Sequence, residues 1–393
     1  MKYIIAINMA FLCISLNGQT NFHNSGDTSM LLLNSDAMYH RPGISGKNLL
    51  FTVGGYIDVN SYYGATNGSM TGFSFEMPDL AFFLSSNLNK HISFLSEAAF
   101  ESGAEKFKLR MAAVDIKFNK LFNIRTGLIL NPIGAFNQNH DGPNYEFVDR
   151  PMVSTEILPS VFSNVGAGLH GKIANDKWAA GYEAYLTNGF NDKIIDNELD
   201  RTSLRSGVSS YQNTNGKPMF TGKLALRNKT AGEIGISYMR CIYSELDAAQ
   251  RSVSAMAIDY SNTFLAKRLS IRAELASVHV DVPDTYLQTY AGQQMGAFVD
   301  VVGTVLERPI WHWDHAKFNI GVRLEYVDYN QGSFTETGGN IFHEIRSIVP
   351  GISFRPTPST VLRLNYRYQQ NVDFLGNTPT KTGAIQVGLS TYF

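Results

Sequence analysis

Residues 383–393 read GAIQVGLSTYF. In an extended chain successive side chains point to opposite sides, so Ile385, Val387, Leu389 and Phe393 share one face while Gln386, Gly388 and Ser390 share the other. This alternation, apolar against polar, runs up to the final Tyr392-Phe393. At the opposite end Lys2 precedes the apolar run Ile4 to Leu16, followed by Asn17-Gly18-Gln19. A charged start, an apolar stretch and small residues are the parts of a secretory signal peptide, placed over residues 1–18. Residues 19–48 have no clear periodicity and read as an N-terminal periplasmic leader or a short plug. From 49 to 393 the alternation recurs.

Composition narrows the class. The 393 residues are 44% hydrophobic, with 34 glycines, and mean hydropathy is −0.12. After the signal, no apolar run approaches the roughly 20 residues that a spanning helix needs. A β-barrel hides its membrane signal because lipid-facing and lumen-facing residues alternate. Aromatic residues at 12%, with 25 Phe and 19 Tyr, suit girdles at the two membrane surfaces. A net charge of −1, from 33 basic and 34 acidic residues, provides no basic footprint for nucleic acid. Cys13 falls in the signal and Cys241 stands alone in the remainder, so no disulfide within the chain is expected.

Sixteen strands are predicted, over 49–62, 77–88, 91–102, 105–117, 122–130, 164–174, 177–187, 218–227, 230–242, 251–262, 267–281, 290–306, 316–329, 340–355, 358–371 and 379–393. Short connections (Asn89-Lys90, Phe118 to Leu121, Asn175-Asp176, Asn228-Lys229) alternate with long ones at 63–76, 131–163, 188–217, 330–339 and 372–378. Glu307 to His315 breaks the rule, being long on the short side. In 358–371, Leu362, Leu364, Tyr366 and Tyr368 oppose Arg363, Asn365, Arg367 and Gln369. A charge facing lipid costs about 2–4 kcal/mol at mid-membrane, so the charged face belongs to the lumen. A soluble sandwich would instead turn that face to bulk water. The expectation is an all-β transmembrane antiparallel barrel of about sixteen strands, with residues 131–163 folded inward as a third external loop.

The same phasing assigns a lumen face. Inward basic residues are Arg125, Lys172, Lys223, Arg227, Arg272, Arg323, Arg363 and Arg367; inward acids are Glu97, Glu101, Glu183, Glu274 and Glu325. A modest basic excess within a low-dielectric wall favours small anions, although neighbours such as Arg272–Glu274 and Arg323–Glu325 could simply pair. Strands 105–117 and 340–355 keep an ambiguous phase: Asp115 and Lys117 share a face with Leu109 and Met111, and Pro350 interrupts the second. Sixteen strands also enclose a lumen wider than side chains alone can fill, so water is expected inside. The segment 131–163 carries prolines at 132, 143, 151 and 159, which stiffen it and forbid a continuous ladder. A loop so long and rigid is functional more often than floppy. Its polar residues His140, Asp141, Tyr145, Glu146, Asp149 and Arg150 are the candidates for a pore constriction.

A terminal strand ending in an aromatic residue resembles the outer-membrane β-barrels, in which that strand closes the barrel. The run Gly127-Leu-Ile-Leu-Asn-Pro-Ile-Gly-Ala-Phe-Asn-Gln-Asn-His-Asp-Gly-Pro, then Val148-Asp-Arg-Pro, Gly166-Ala-Gly-Leu-His-Gly-Lys and Tyr185-Leu-Thr-Asn-Gly-Phe, resembles the porin family that includes the phosphate-selective porins O and P. The resemblance covers about residues 105–190. It implies a passive, water-filled channel for small hydrophilic solutes in the outer membrane of a Gram-negative bacterium. It further implies a homotrimer among outer-membrane lipids, with the third external loop narrowing the pore and no cofactor. The repeated lysine cluster of the phosphate channels is not seen here.

Rival readings have sequence features of their own. A barrel hydrolase needs a base, which His140 with Asp141 or His170 would offer, but no Gly-x-Ser-x-Gly accompanies them. A non-conducting structural or adhesive subunit would show the same alternation. Trp311-His312-Trp313-Asp314-His315 contains possible metal ligands, yet two indoles read as an interfacial anchor. Asp192, Asp196, Glu198 and Asp200 match no EF-hand spacing and read as a solvated loop.

Overall fold

The computed structural model describes residues 31–42, 51–199, 201–209, 211, 216–244, 250–284, 292–334 and 336–393. The signal peptide and most of residues 19–48 lie outside these. The strands are β1 (Thr52–Thr66), β2 (Ser69–Asn87), β3 (Ile92–Glu101), β4 (Lys106–Lys117), β5 (Asn123–Leu130), β6 (Ser163–Ala174), β7 (Trp178–Thr187), β8 (Met219–Asn228), β9 (Gly232–Ser244), β10 (Arg251–Phe264), β11 (Leu269–Val280), β12 (Gln293–Ile310), β13 (Trp313–Ser333), β14 (Asn340–Ile341), β15 (Glu344–Thr357), β16 (Thr360–Val372) and β17 (Thr380–Tyr392). The two-residue β14 pairs with β13, which also pairs directly with β15. The other sixteen strands form one closed antiparallel barrel. Closure is the pairing of β1 with β17, from Tyr56↔Tyr392 to Thr66↔Thr382, so no sheet edge is left along it.

The seam is fastened at Phe393. Phe393 and Gly55 exchange backbone hydrogen bonds of 3.0 and 3.1 Å, and the Phe393 ring packs edge-on against Phe82 at 5.8 Å. A Cβ on Gly55 would lie 2.6 Å from that ring, so the glycine makes room for the terminal aromatic. Ile385, Val387 and Leu389 face outward and exposed, whereas Gln386 and Ser390 are buried inside. β16 repeats the pattern, with Leu362, Leu364 and Tyr366 outside and Arg363, Asn365 and Arg367 inside.

At one end of the barrel the turns are short, and four of them share a device. Asn89, Asn119, Asn175 and Asn228 each accept two backbone N–H bonds, from the residues two and three ahead, at 2.7–3.0 Å. Asparagine side chains favour such turns because they mimic a backbone acceptor. Two predicted boundaries are corrected. Glu307 to His315 is not a long turn: β12 and β13 run on to Ile310 and Trp313, joined through Trp311, whose φ is 52°. Trp311 and Trp313 lie 6.1 Å apart, with Trp313 edge-on to Phe354 at 5.6 Å. Nor is 63–76 a long loop. β1 and β2 continue to Thr66 and Ser69 around Asn67-Gly68, with φ of 50° and 83°, the left-handed pair a tight hairpin favours.

The ambiguous phase of β4 resolves as a bulge. Glu97 pairs with Met111 and Ala98 with Leu109, leaving Arg110 as the extra residue. Arg110 and Met111 are both buried, and Leu109 falls on the opposite face from Met111, Ala113 and Asp115. In β15, Pro350 faces outward, between the buried Val349 and Ile352 outside. The expected water-wide lumen is not bounded by side chains alone. Backbone from 131–162 enters it, and Ile133, Val153, Ile157 and Phe162 form a core with Phe190, Ile194, Leu204 and inward residues of β8–β13.

Candidate functional site in the barrel interior

Residues 131–162 leave β5 and return to β6 through a polar neck. Asn137 donates to the carbonyls of Asn131 and Phe162, both at 2.8 Å, and accepts from Phe162 N–H at 2.7 Å. One side chain thereby holds both arms of the loop. Beyond the neck the segment meets the inward face of β8–β11. Ala135 N–H and the Ser154 hydroxyl donate to Glu274 at 2.8 and 2.6 Å, Gly134 N–H donates to Ser237 at 2.9 Å, and Lys223 donates to the Gly134 carbonyl at 2.7 Å. A Cβ on Gly134 would stand 2.6 Å from Glu274 Oε2, and its φ of 66° is left-handed, so glycine is required twice over.

The six candidate constriction residues all face the wall. His140 is fully buried, with Nε2 2.9 Å from Glu97 Oε1 and Nδ1 2.9 Å from the Asn137 carbonyl. Asp141 accepts from Arg41 at 2.6 and 2.8 Å and from the Tyr392 hydroxyl at 2.8 Å. Tyr145 donates to the Asn139 carbonyl at 2.8 Å. Glu146 pairs with Arg355 at 2.6 Å and accepts from Ser353. Asp149 accepts from Arg367 at 2.8 Å, Gln386 at 2.6 Å and Tyr62 at 3.0 Å. Arg150 pairs with Asp79. Burial alone would raise the Glu146 carboxyl, but Arg355 and the Ser353 hydroxyl outweigh it and hold it below its ordinary value.

The residues assigned to the lumen by alternation are placed as follows. Arg125, Lys223, Arg323, Arg363, Arg367, Glu97, Glu183, Glu274 and Glu325 are buried, while Lys172, Arg227, Arg272 and Glu101 are half-buried. The i,i+2 neighbours are not the pairs formed. Arg323 binds Asp300 at 2.6 and 2.8 Å and donates to the Asp149 carbonyl at 2.6 Å. Arg367 binds Glu325 at 2.8 Å, and Arg272 donates to the Asn144 carbonyl at 2.8 Å. Arg125 bridges Asp115 at 2.7 Å and Glu183 at 3.2 Å. The counted basic excess is also corrected: among the described residues, twelve carboxylates but eight Lys and Arg side chains are buried. Asp58, Asp79, Asp115, Asp259 and Asp300 were missed because their strands were unphased or their faces not tallied. Asp58 and Asn60 against Ile57 and Val59 in β1 carried the signal.

Arg41 and Arg110 were also missed. Arg110 binds Asp79, Glu101 at 2.8 Å and the Tyr56 hydroxyl at 2.9 Å. Arg41 joins Asp141 to Glu97 Oε2, 2.7 Å away, and lies over the Phe83 ring at 3.9 Å. Ligand atoms of Glu97, His140 and Asp141 fall within 4.8 Å of one another, and the Arg41 guanidinium already bridges the two carboxylates. His170 Nε2 stands 3.2 Å from Asp115. Of the acidic stretch, Asp192 opens a short 3-10 turn to Ile194, and Asp200 lies outside the described residues.

The filled interior divides the remaining space. On the long-loop side of 131–162 lies a cavity of about 640 Å³ lined by Asp58, Tyr62, Glu76, Asp149, Arg150 and Arg367. On the short-turn side are cavities of about 190 Å³, with Lys267, Arg268, Arg272, Lys317 and Arg355 against Glu146 and Asp300, and of about 240 Å³ beside Tyr39, Arg125 and Lys172.

No protein-family model matches the chain. Its sequence is 28% identical over 145 residues to an uncharacterized protein of Aquifex aeolicus (strain VF5), covering 35% of this chain and 32%, about a third, of that relative. In fold it is similar to the anion-selective porin from Comamonas acidovorans, with a TM-score of 0.56, 11% identity and coverage of 87% of this chain and 99% of that one. It is likewise similar to OprB of Pseudomonas putida, with a TM-score of 0.57, 10% identity and coverage of 87% and 94%. At these identities the likeness is one of fold: the chain has the architecture of the outer-membrane porin barrels.

Proposed function

We propose that this protein is a passive outer-membrane channel for small hydrophilic solutes, and not an enzyme. The observation that carries the reading is the inversion of the barrel, with Arg323, Arg363 and Glu325 buried within it while Ile320, Leu324 and Leu364 cover its outside. Such a wall suits lipid outside and polar solutes inside. The short-turn end and both ends of the barrel chain then face the periplasm. Residues 131–162 set the constriction, with Asp149 and Arg150 bordering the long-loop cavity and Glu146 the short-turn one, while the buried His140, Asp141 and Tyr145 hold the loop in place. A mild anion preference rests on the short-turn mouth, where Lys267, Arg268, Arg272, Lys317 and Arg355 outnumber Glu146 and Asp300. A homotrimer is supported by outward positions of β3–β6 that are small (Ser96, Ala98, Ala112, Thr126, Ala167), where β13 and β16 carry Leu, Ile and Phe.

The test is electrical. Purified protein in planar bilayers is expected to give stepwise conductance, and a chain lacking 138–150 larger steps and passage of larger sugars in a swelling assay. Unchanged conductance and size limit after that deletion would place the constriction elsewhere. Hydrolytic activity without conductance would favour the barrel-hydrolase rival.

A further inference from the structure

Residues 31–42 form a strap in the short-turn half of the barrel, and most of its polar contacts are with charged wall groups. Asn34 to Tyr39 is a 3-10 turn, started by Leu33 N–H donating to Asp36 at 2.7 Å. At one end, Leu33 packs on Ala179 and Ala225 of β7 and β8, and Asn34 N–H donates to the buried Glu233 of β9 at 2.9 and 3.1 Å. Midway, Asp36 pairs with Lys172, Tyr39 donates to Asp115 at 2.7 Å and accepts from Arg125, and Met38 is buried beside Met111, Ile129 and Val161. At the other end Arg41 joins Glu97 of β3 to Asp141 of the 131–162 segment. The strap therefore runs from β8–β9 to β3, past the strands β4–β7 that lie between them in the ring.

Resting on the channel reading above, we infer that residues 31–42 are a gate: a resident peptide that obstructs the periplasmic half of the lumen on its β3–β9 side and withdraws for solute to pass. The warrant is the condition of the wall without it. Removing Arg41 leaves Glu97 with His140 and Asp141 with Tyr392, and removing Asn34 leaves Glu233 with Arg227 at 3.5 Å, each a buried carboxylate with fewer donors than it has now, a costly state in a dry interior. Water can replace the strap at those groups because each is ionisable and ready to be hydrated. An apolar wall would have no such second state. The same residues therefore fit two conditions, strap in and dry, or strap out and wet, with small enough differences for switching. Withdrawal also frees Lys172 from Asp36, adding a mobile positive charge to the opened path.

The experiment compares three proteins in planar bilayers, each first checked for the heat-dependent electrophoretic shift of a folded barrel. They are the mature chain, a chain lacking residues 19–42, and the full-length triple variant Asp36→Asn, Tyr39→Phe, Arg41→Gln, which removes the strap's charges and the Tyr39 hydroxyl without deleting backbone. Deletion and triple variant are expected to conduct severalfold more than the parent, as larger steps or a larger open fraction. A synthetic peptide of residues 31–42, added to the short-turn side, is expected to block the deletion variant, and a peptide with Arg41→Gln to block it poorly. Equal conductance from all three proteins, with no block by the peptide, overturns the gate and leaves the channel reading standing. Absence of conductance from all three overturns both.

Discussion

At the residue scale the interior is a set of paired charges that tolerate loss of either partner badly. Arg323 is fully buried between Asp300 and the Asp149 carbonyl. Replacing it with Met should lower unfolding free energy by about 3–5 kcal/mol, the usual result of orphaning a buried charge. Urea titration of folded protein in micelles checks this, and Arg323→Met with Asp300→Leu should recover much of the loss. Glu146 gives a pH prediction. Its carboxyl is held below the ordinary value, so its contribution is complete above the unfolded value of about 4.3 and is lost as pH falls through the lower folded value. Conductance should thus stay level from neutrality down to about pH 5 and change only in more acid solution. A transition near pH 6 in the parent, absent from Glu146→Gln, would contradict the pairing.

At the element scale one bulge does what alternation cannot. In regular pleating β4 would present Leu109, Met111, Ala113 and Asp115 on one face. Inserting Arg110 turns the strand over, so Leu109 points out while Arg110, Met111 and Asp115 all serve the inside. Deleting Arg110 should therefore keep the faces of both halves and remove only a cation from between Asp79, Glu97 and Glu101. Thermal unfolding is expected to fall for that deletion and to recover in part when Asp79→Asn is added. If the deletion instead abolishes folding, the bulge sets register as well as charge. The four Asn turns make a milder case: Asn119→Ala should cost about 1 kcal/mol, the scale of a neutral hydrogen bond, without altering conductance.

At the scale of the whole molecule the barrel has an orientation that can be read on cells. Gly68 at the β1–β2 hairpin and Lys229 in the β8–β9 turn sit at opposite ends. With the Cys241 thiol buried, a membrane-impermeant maleimide should label Gly68→Cys on intact cells and Lys229→Cys only after lysis; the reverse would invert the topology. How much of this was legible in the chain depends on the range of the forces involved. Alternation is local, since each side chain's face follows from its neighbours, and it determined the sixteen strands and the outward apolar belt. The hairpin at Asn67-Gly68 and the strands running through Glu307 to His315 escaped because polar residues at a membrane rim do not alternate. Which charge meets which was beyond reach. Arg323 with Asp300, Arg41 with Glu97 and Asp141, and Glu146 with Arg355 are joined across strands and loops far apart in sequence. Only closure of β17 on β1, with 131–162 and 31–42 laid inside, brings those charges close enough in a low dielectric to select their partners.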